Sequence, residues 1–140
     1  MNQGTRTLPG LLALLALFIL FSARPALAAA IEIEIFFLPH RPAMAVVDKV
    51  EEVAKEVAGI TVTRYSFDDP KSRKMVEKYQ LTDHMPVAIF INGKDSFTVN
   101  GRTLRLRNFP KGDTFAPMFA GEWDYDDLRA ILAGLGGDHQ

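Results

Sequence analysis

The chain has 140 residues, 48% of them hydrophobic and 24% charged, with sixteen Lys and Arg against seventeen Asp and Glu for a formal net charge of -1. One domain's worth of ordinary composition excludes collagen-like, low-complexity and strongly disordered classes, and near-neutral charge gives no support to a nucleic-acid binder that must neutralise many phosphates. There is no cysteine, which removes disulfides, thiolate nucleophiles, Cys-x-x-Cys redox pairs, zinc-thiolate sites and iron-sulfur ligation together.

Residues 1–10 hold Arg6 and no acid, residues 11–21 (LLALLALFILF) are continuously apolar, and Ala26-Leu27-Ala28 presents small residues where a signal peptidase reads. Residues 1–28 are therefore expected to be a secretory signal peptide. Their apolar run is well short of the roughly 20 residues that span a bilayer, and Arg24-Pro25 interrupts its far side. The expected location is exported, periplasmic or secreted, with no stable membrane anchor after cleavage. What remains carries fourteen basic against seventeen acidic residues, a net charge of -3, on about 110 residues, enough for one modest core. Exported domains of this size are often stapled by disulfides; this one must rely on packing and backbone pairing.

Ile31 to Phe37 begins in strict alternation and ends as an apolar run, the pattern of a strand entering a sheet. The loop Leu38-Pro39-His40-Arg41-Pro42 follows. From Ala43 to Val57 the residues Val46, Val47, Val50, Val53, Ala54 and Val57 recur at helical spacing, with Gly59 where a C-cap is wanted. Ile60 to Phe67 is rich in β-branched and aromatic residues and predicts a second strand. Asp68-Asp69-Pro70 then offers an N-cap and a proline to a short helix reaching Tyr79. Val87 to Ile91 is a buried-type strand closed by Asn92-Gly93 and preceded by Met85-Pro86. Two helix-containing crossovers predict that these three strands lie parallel.

Beyond them, Phe97-Thr98-Val99, the turn Asn100-Gly101 and Arg102 to Asn108 predict a hairpin. Phe109-Pro110-Lys111-Gly112-Asp113 breaks its second arm, and residues 115–120 are apolar but interrupted by Pro117, so their type stays open. Asp124 to Leu135 predicts a final helix, with Asp124 as N-cap and Leu128, Ile131, Leu132 and Leu135 on one face. Residues 137–140 are expected to be a flexible tail.

The stretch Ile31 to Lys94 resembles thioredoxin-like domains. Its strand ends in Phe36-Phe37, a proline-containing loop opens a long helix, a second strand runs into Asp68-Asp69, a short helix ends in Tyr79-Gln80-Leu81, and a proline-headed strand ends in Asn-Gly. The most specific piece, residues 84–93 (HMPVAIFING), is similar to that fold's cis-proline loop and the strand after it; a cis X-Pro bond is uncommon enough to be a purposeful feature where it occurs. The resemblance implies an α/β, three-layer sandwich over residues 29–136: a central mixed sheet, flanking helices, and an elaborated hairpin or edge insertion over 97–120. In the family the loop before the first helix carries a Cys-x-Pro-Cys type motif. Placing Pro42 on its proline puts His40 and Ala43 on the two cysteine positions, around Arg41 and Pro42. Without a thiolate there is no disulfide exchange.

The degenerate loop His40, Arg41, Pro42, Ala43 and the proline loop Met85, Pro86 form an expected groove for an extended polypeptide, held through main-chain hydrogen bonds that need no cysteine. His40, His84, Met44 and Met85 are soft-metal candidates, for copper or zinc, although no ligand motif of recognised spacing is present. Arg102, Arg105, Arg107 and Lys111 make a basic edge that would meet an acidic partner or guard an edge strand against aggregation. Phe109, Phe115, Phe119 and Trp123 are core or cover for the insertion. Ser66, Ser72 and Ser96 lie in no nucleophile context, and metalloprotease, dinucleotide and phosphate-loop motifs are missing. The expectation is a non-catalytic, cofactor-free, exported domain that binds a polypeptide. The alternatives are a small metal-handling protein and a redox-associated member of the family without its own thiol activity.

Overall fold

The computed structural model describes residues 30–82, 85–112 and 117–137. The expected signal peptide, His84, Phe115 and residues 138–140 lie outside them. Strand β1 (Ile31–Phe37) alternates as expected: Ile31, Ile33, Ile35 and Phe37 turn to one core, and Phe36 to another on the opposite face. Helix α1 (Arg41–Lys55) starts two residues earlier than its apolar periodicity indicates. Pro42 falls in its first turn, where a missing N–H is harmless, and Val46, Val47, Val50, Val53 and Ala54 form the buried stripe.

Strand β2 (Ile60–Ser66) runs parallel to β1, with Ile60 opposite Ile31 and Ser66 opposite Phe37. A 3₁₀ turn at Pro70–Ser72, capped by the Asp69 carboxylate on the Lys71 N–H, leads into helix α2 (Arg73–Lys78). Strand β3 (Val87–Ile91) is antiparallel to β1, with Val87 opposite Phe37 and Ile91 opposite Ile33, so the order is β2-β1-β3 in a mixed sheet. The parallel arrangement expected for all three strands is thereby corrected. The link from β2 to β3 starts and finishes at the same end of the sheet: the Phe67 N–H donates to the Phe37 carbonyl at 3.0 Å and the Leu38 N–H to the Pro86 carbonyl at 3.0 Å, so β3 enters where β2 left.

Strands β4 (Ser96–Val99) and β5 (Arg102–Arg105) form the expected hairpin as a separate two-stranded sheet. Asn100 and Gly101 have φ of 50° and 76°, the left-handed pair that a two-residue hairpin turn requires. The second arm ends at Arg105 rather than Asn108. From there the chain crosses onto β3: the Ile89 N–H donates to the Leu106 carbonyl at 2.9 Å and the Asn108 N–H to Val87 at 2.8 Å, with Arg107 opposite Ala88. That edge of the sheet is thus covered by the chain itself.

The segment after it is tightly folded. Gly121 donates to the Phe109 carbonyl at 2.7 Å, and Trp123 donates from Nε1 to the Arg107 carbonyl at 3.1 Å. Phe109 and Trp123 are buried and Phe119 packs against the same core. Pro117–Phe119 makes a single 3₁₀ turn. Helix α3 (Tyr125–Gly137) starts on Asp124, whose Oδ1 accepts from the N–H groups of Asp126 and Asp127, while Asp127 Oδ2 accepts from the Asp124 N–H at 3.1 Å. This is a reciprocal cap.

Two cores result. The larger packs α1 and α3 against one face of the sheet, with Leu104, Leu106 and Trp123 joining from the later segments. The smaller, on the other face, gathers Phe36, Leu81, Ala88 and Phe90 under Tyr65, Phe67, Met75, Val76 and Tyr79. Phe36 stacks on Tyr65 at 4.9 Å and Tyr79 on Phe90 at 4.0 Å. Among the described residues no helix is long and apolar enough to cross a membrane.

Candidate functional site

The end of β1, the end of β2 and the start of β3 coincide at one rim of the sheet, through Phe37, Ser66 and Val87. The loop opening α1 and the proline loop are joined there: the Leu38 N–H donates to the Pro86 carbonyl at 3.0 Å. His40 follows as the helix N-cap residue, in extended conformation. It makes no side-chain capping bond, while its carbonyl accepts the Met44 N–H at 2.9 Å. His40 and Arg41 are exposed and Pro42 is half-buried. Ala43 is fully buried and belongs to the larger core, so of the four expected loop residues it serves packing and not the surface.

On the facing loop, Pro86 is buried and Met85 half-buried. Met85 packs against the smaller core beside Leu81 and Phe90. The Met85–Pro86 bond is trans, because no cis peptide bond occurs among the described residues; the cis isomer implied by the resemblance is corrected. Trans is the lower-energy form of an X-Pro bond, and the chain meets β1 here through the Pro86 carbonyl. Next to the Leu38–Pro86 bond along the chain, Pro39, His40 and Arg41 are exposed and Met85 is half-buried.

Of the soft-metal candidates, His84 lies outside the described residues, and Met44 and Met85 are divided by the sheet. Met44 packs against the core under α1 and Met85 against the one under α2. Among the described residues no three His, Cys, Asp or Glu side chains gather as a metal site would require.

The expected basic edge is engaged within the molecule. Arg107 Nε donates to Asp95 Oδ2, Arg105 Nε lies 3.6 Å from the same oxygen, Arg102 Nη2 lies 2.9 Å from Asp127 Oδ1, and Lys111 Nζ is 3.7 Å from Asp127 Oδ2. The Arg107 guanidinium also sits 5.7 Å over the Phe90 ring. Two acidic partners, Asp95 and Asp127, were not singled out from the sequence. The three-residue spacing of Asp124 and Asp127 is the signal that could have found the second.

Two further polar arrangements were also missed. Arg64 on β2 bonds Glu51 and Asp48 of α1; hydrogen bonding to Arg64 lowers the Glu51 carboxyl below its ordinary range, and those carboxylates raise the guanidinium. On the opposite face, the Tyr79 hydroxyl donates to Glu34 Oε2 and lies 3.3 Å from Lys78 Nζ. Burial first, and the bond to Glu34 second, push the phenol above its usual value. A shallow cleft of about 310 Å³ runs between α1 and β2, lined by Ala54, Val57, Ile60 and Val62 with Glu51 and Lys55 at its margin. Clefts of about 330 Å³ between β4 and α3, and of about 340 Å³ beside the 3₁₀ turn and α2, likewise do not involve the rim residues.

No family model, no curated protein and no solved structure matches the chain.

Proposed function

We propose that this is an exported, thioredoxin-like domain without thiols, whose work is to bind an extended polypeptide at the sheet rim where Leu38 and Pro86 meet. Support for the fold reading comes from the order of elements, the β2-β1-β3 order with β3 reversed, and Arg107 bridging to β3 as a fourth sheet position. Helices on both faces of the sheet agree with it. The observation that carries the binding reading is the 3.0 Å bond from the Leu38 N–H to the Pro86 carbonyl. It fixes the helix-opening loop beside the proline loop, which brings the exposed His40 and Arg41 and the half-buried Met85 to one rim of the sheet, side chains that an extended polypeptide can engage. Thiol–disulfide exchange is outside this chain's chemistry, since that reaction begins with a thiolate and the chain has no cysteine.

A photo-reactive amino acid placed at position 41 or 85, with position 126 on α3 as the control, tests the reading in the producing cell. Capture of the same polypeptide from 41 and 85 and not from 126 is expected. Capture no greater than at 126 would remove this rim from consideration.

A further inference from the structure

The two edges of the central sheet are treated differently. Beyond β3 the chain covers its own edge with Leu106 to Asn108. Among the described residues no strand follows beyond β2. The Gly59 carbonyl accepts from Ile31 and the Phe67 N–H donates to Phe37, so the odd-numbered residues of β2 turn their backbone groups to β1. Ile60, Val62, Arg64 and Ser66 turn theirs outward, and among the described residues only the Ser66 carbonyl is engaged there, by the Asp69 N–H at 3.2 Å.

Edge strands are ordinarily blunted by shortness, proline, bulges or charge. β2 is seven residues long, contains no proline, and keeps an unbroken register with β1 from Ile60 to Ser66. Its first four residues are all β-branched, and its single charge, Arg64, is already held by Asp48 and Glu51.

We propose that β2 joins two copies of this chain, antiparallel and about a two-fold axis at Thr63, into one continuous sheet. Self-complementarity selects the second copy as occupant and Thr63 as the centre. Thr63 is the middle residue of Ile60–Ser66, so this register overlaps the whole strand and pairs the outward residues with one another: Ile60 with Ser66 and Val62 with Arg64 of the other copy. On the face carrying α2, Thr63 meets Thr63 and Thr61 meets Tyr65, pairings that favour a strand pair. On the face carrying α1, Arg64 of each copy arrives beside Val62 of the other, at the cleft whose margin carries Glu51. Asp48 and Glu51 stay with the Arg64 of their own copy, so no unpaired charge is brought into the seam. A shift that centred the axis on Arg64 would place like charges face to face, which is destabilising. The second strand also covers the apolar cleft lined by Ile60 and Val62.

Because the chain has no cysteine, a single introduced thiol reports the register cleanly. Residues facing each other at a position without mutual hydrogen bonds have Cα atoms about 4.5 Å apart, within disulfide reach. Thr63→Cys is expected to form a covalent dimer under mild oxidation, while Thr61→Cys and Thr98→Cys, both exposed, remain largely monomeric. Sedimentation velocity of the unaltered protein is expected to show a concentration-dependent dimer that Thr63→Lys dissociates without loss of helical circular dichroism. A monomer throughout the micromolar to millimolar range would overturn the proposal, as would crosslinking at 63 no faster than at 61 or 98. An edge that binds other extended peptides but never its own copy would overturn it equally.

Discussion

Arg102 at the start of β5 and Asp127 in the first turn of α3 stand 2.9 Å apart, and the same Asp127 carboxylate closes the cap of its own helix on the Asp124 N–H. The side chain of Asp127 is 7% exposed and that of Arg102 53%, so the two ends of this pair are unequal. Asp127→Ala removes a buried acceptor and half of a reciprocal cap and is expected to destabilise the fold by about 2 kcal/mol. Arg102→Ala removes a half-solvated partner and should cost less than about 1 kcal/mol. Urea unfolding followed by the single, fully buried tryptophan, Trp123, measures both. Equal effects would show that the ion pair and not the cap carries the contribution.

Gly121 is required by space. A Cβ built there would lie 2.4 Å from the Arg107 carbonyl oxygen and 2.8 Å from that of Phe109, both backbone atoms held in the turn around Trp123. Gly121→Ala is expected to destabilise by about 1–3 kcal/mol, as overpacking does, and to alter the Trp123 emission of the folded state. An unchanged urea midpoint would contradict the close approach.

The acid and alkaline limbs of stability have different sources. The Glu51 carboxyl is lowered by its hydrogen bond from Arg64, so its contribution is present above the ordinary carboxyl range and is lost as pH falls through the lowered folded value. Glu51→Gln should flatten that acid limb. The Tyr79 phenol is raised, by burial first and Glu34 second, so the folded state holds its proton longer than the unfolded state. That contribution is complete below the ordinary phenol value and disappears as pH rises through the folded one. The difference in phenolate absorbance between the unaltered protein and Tyr79→Phe should titrate above the ordinary phenol range; a step within it would contradict the burial of the hydroxyl beside Glu34.

Asp95 holds Arg105 and Arg107 within the molecule. Asp95→Asn is expected to release that positive charge and increase salt-sensitive retention on a polyanionic column. Unchanged retention would mean that the arginines were already available to an outside partner.

The elements with local signals were legible. Alternation from Ile31 to Phe37, the Asn100-Gly101 turn and the Asp124 cap each lie within a few residues of what they determine. The direction of β3 was not, because it is set where Phe67 and Pro86 both bond the end of β1 at Phe37 and Leu38, contacts between residues far apart in the chain. The internal partners of the basic edge are not legible because Asp95 and Asp127 meet it only after the hairpin crosses onto β3 and α3 docks. At the rim, the exposed His40 and Arg41 were legible as a helix-opening loop. The side on which Met85 packs follows from how the sheet's two faces are filled, which spacing does not encode.

The proposed function is the binding of a polypeptide at the rim fixed by Leu38 and Pro86. Its most direct test is the affinity of the partner captured from position 41, measured by calorimetry against the unaltered protein and against Arg41→Ala/Met85→Ala. Loss of about tenfold or more in affinity, as residues central to an interface show, with unchanged unfolding, is the expected result; an affinity equal to that of the unaltered protein would contradict the account.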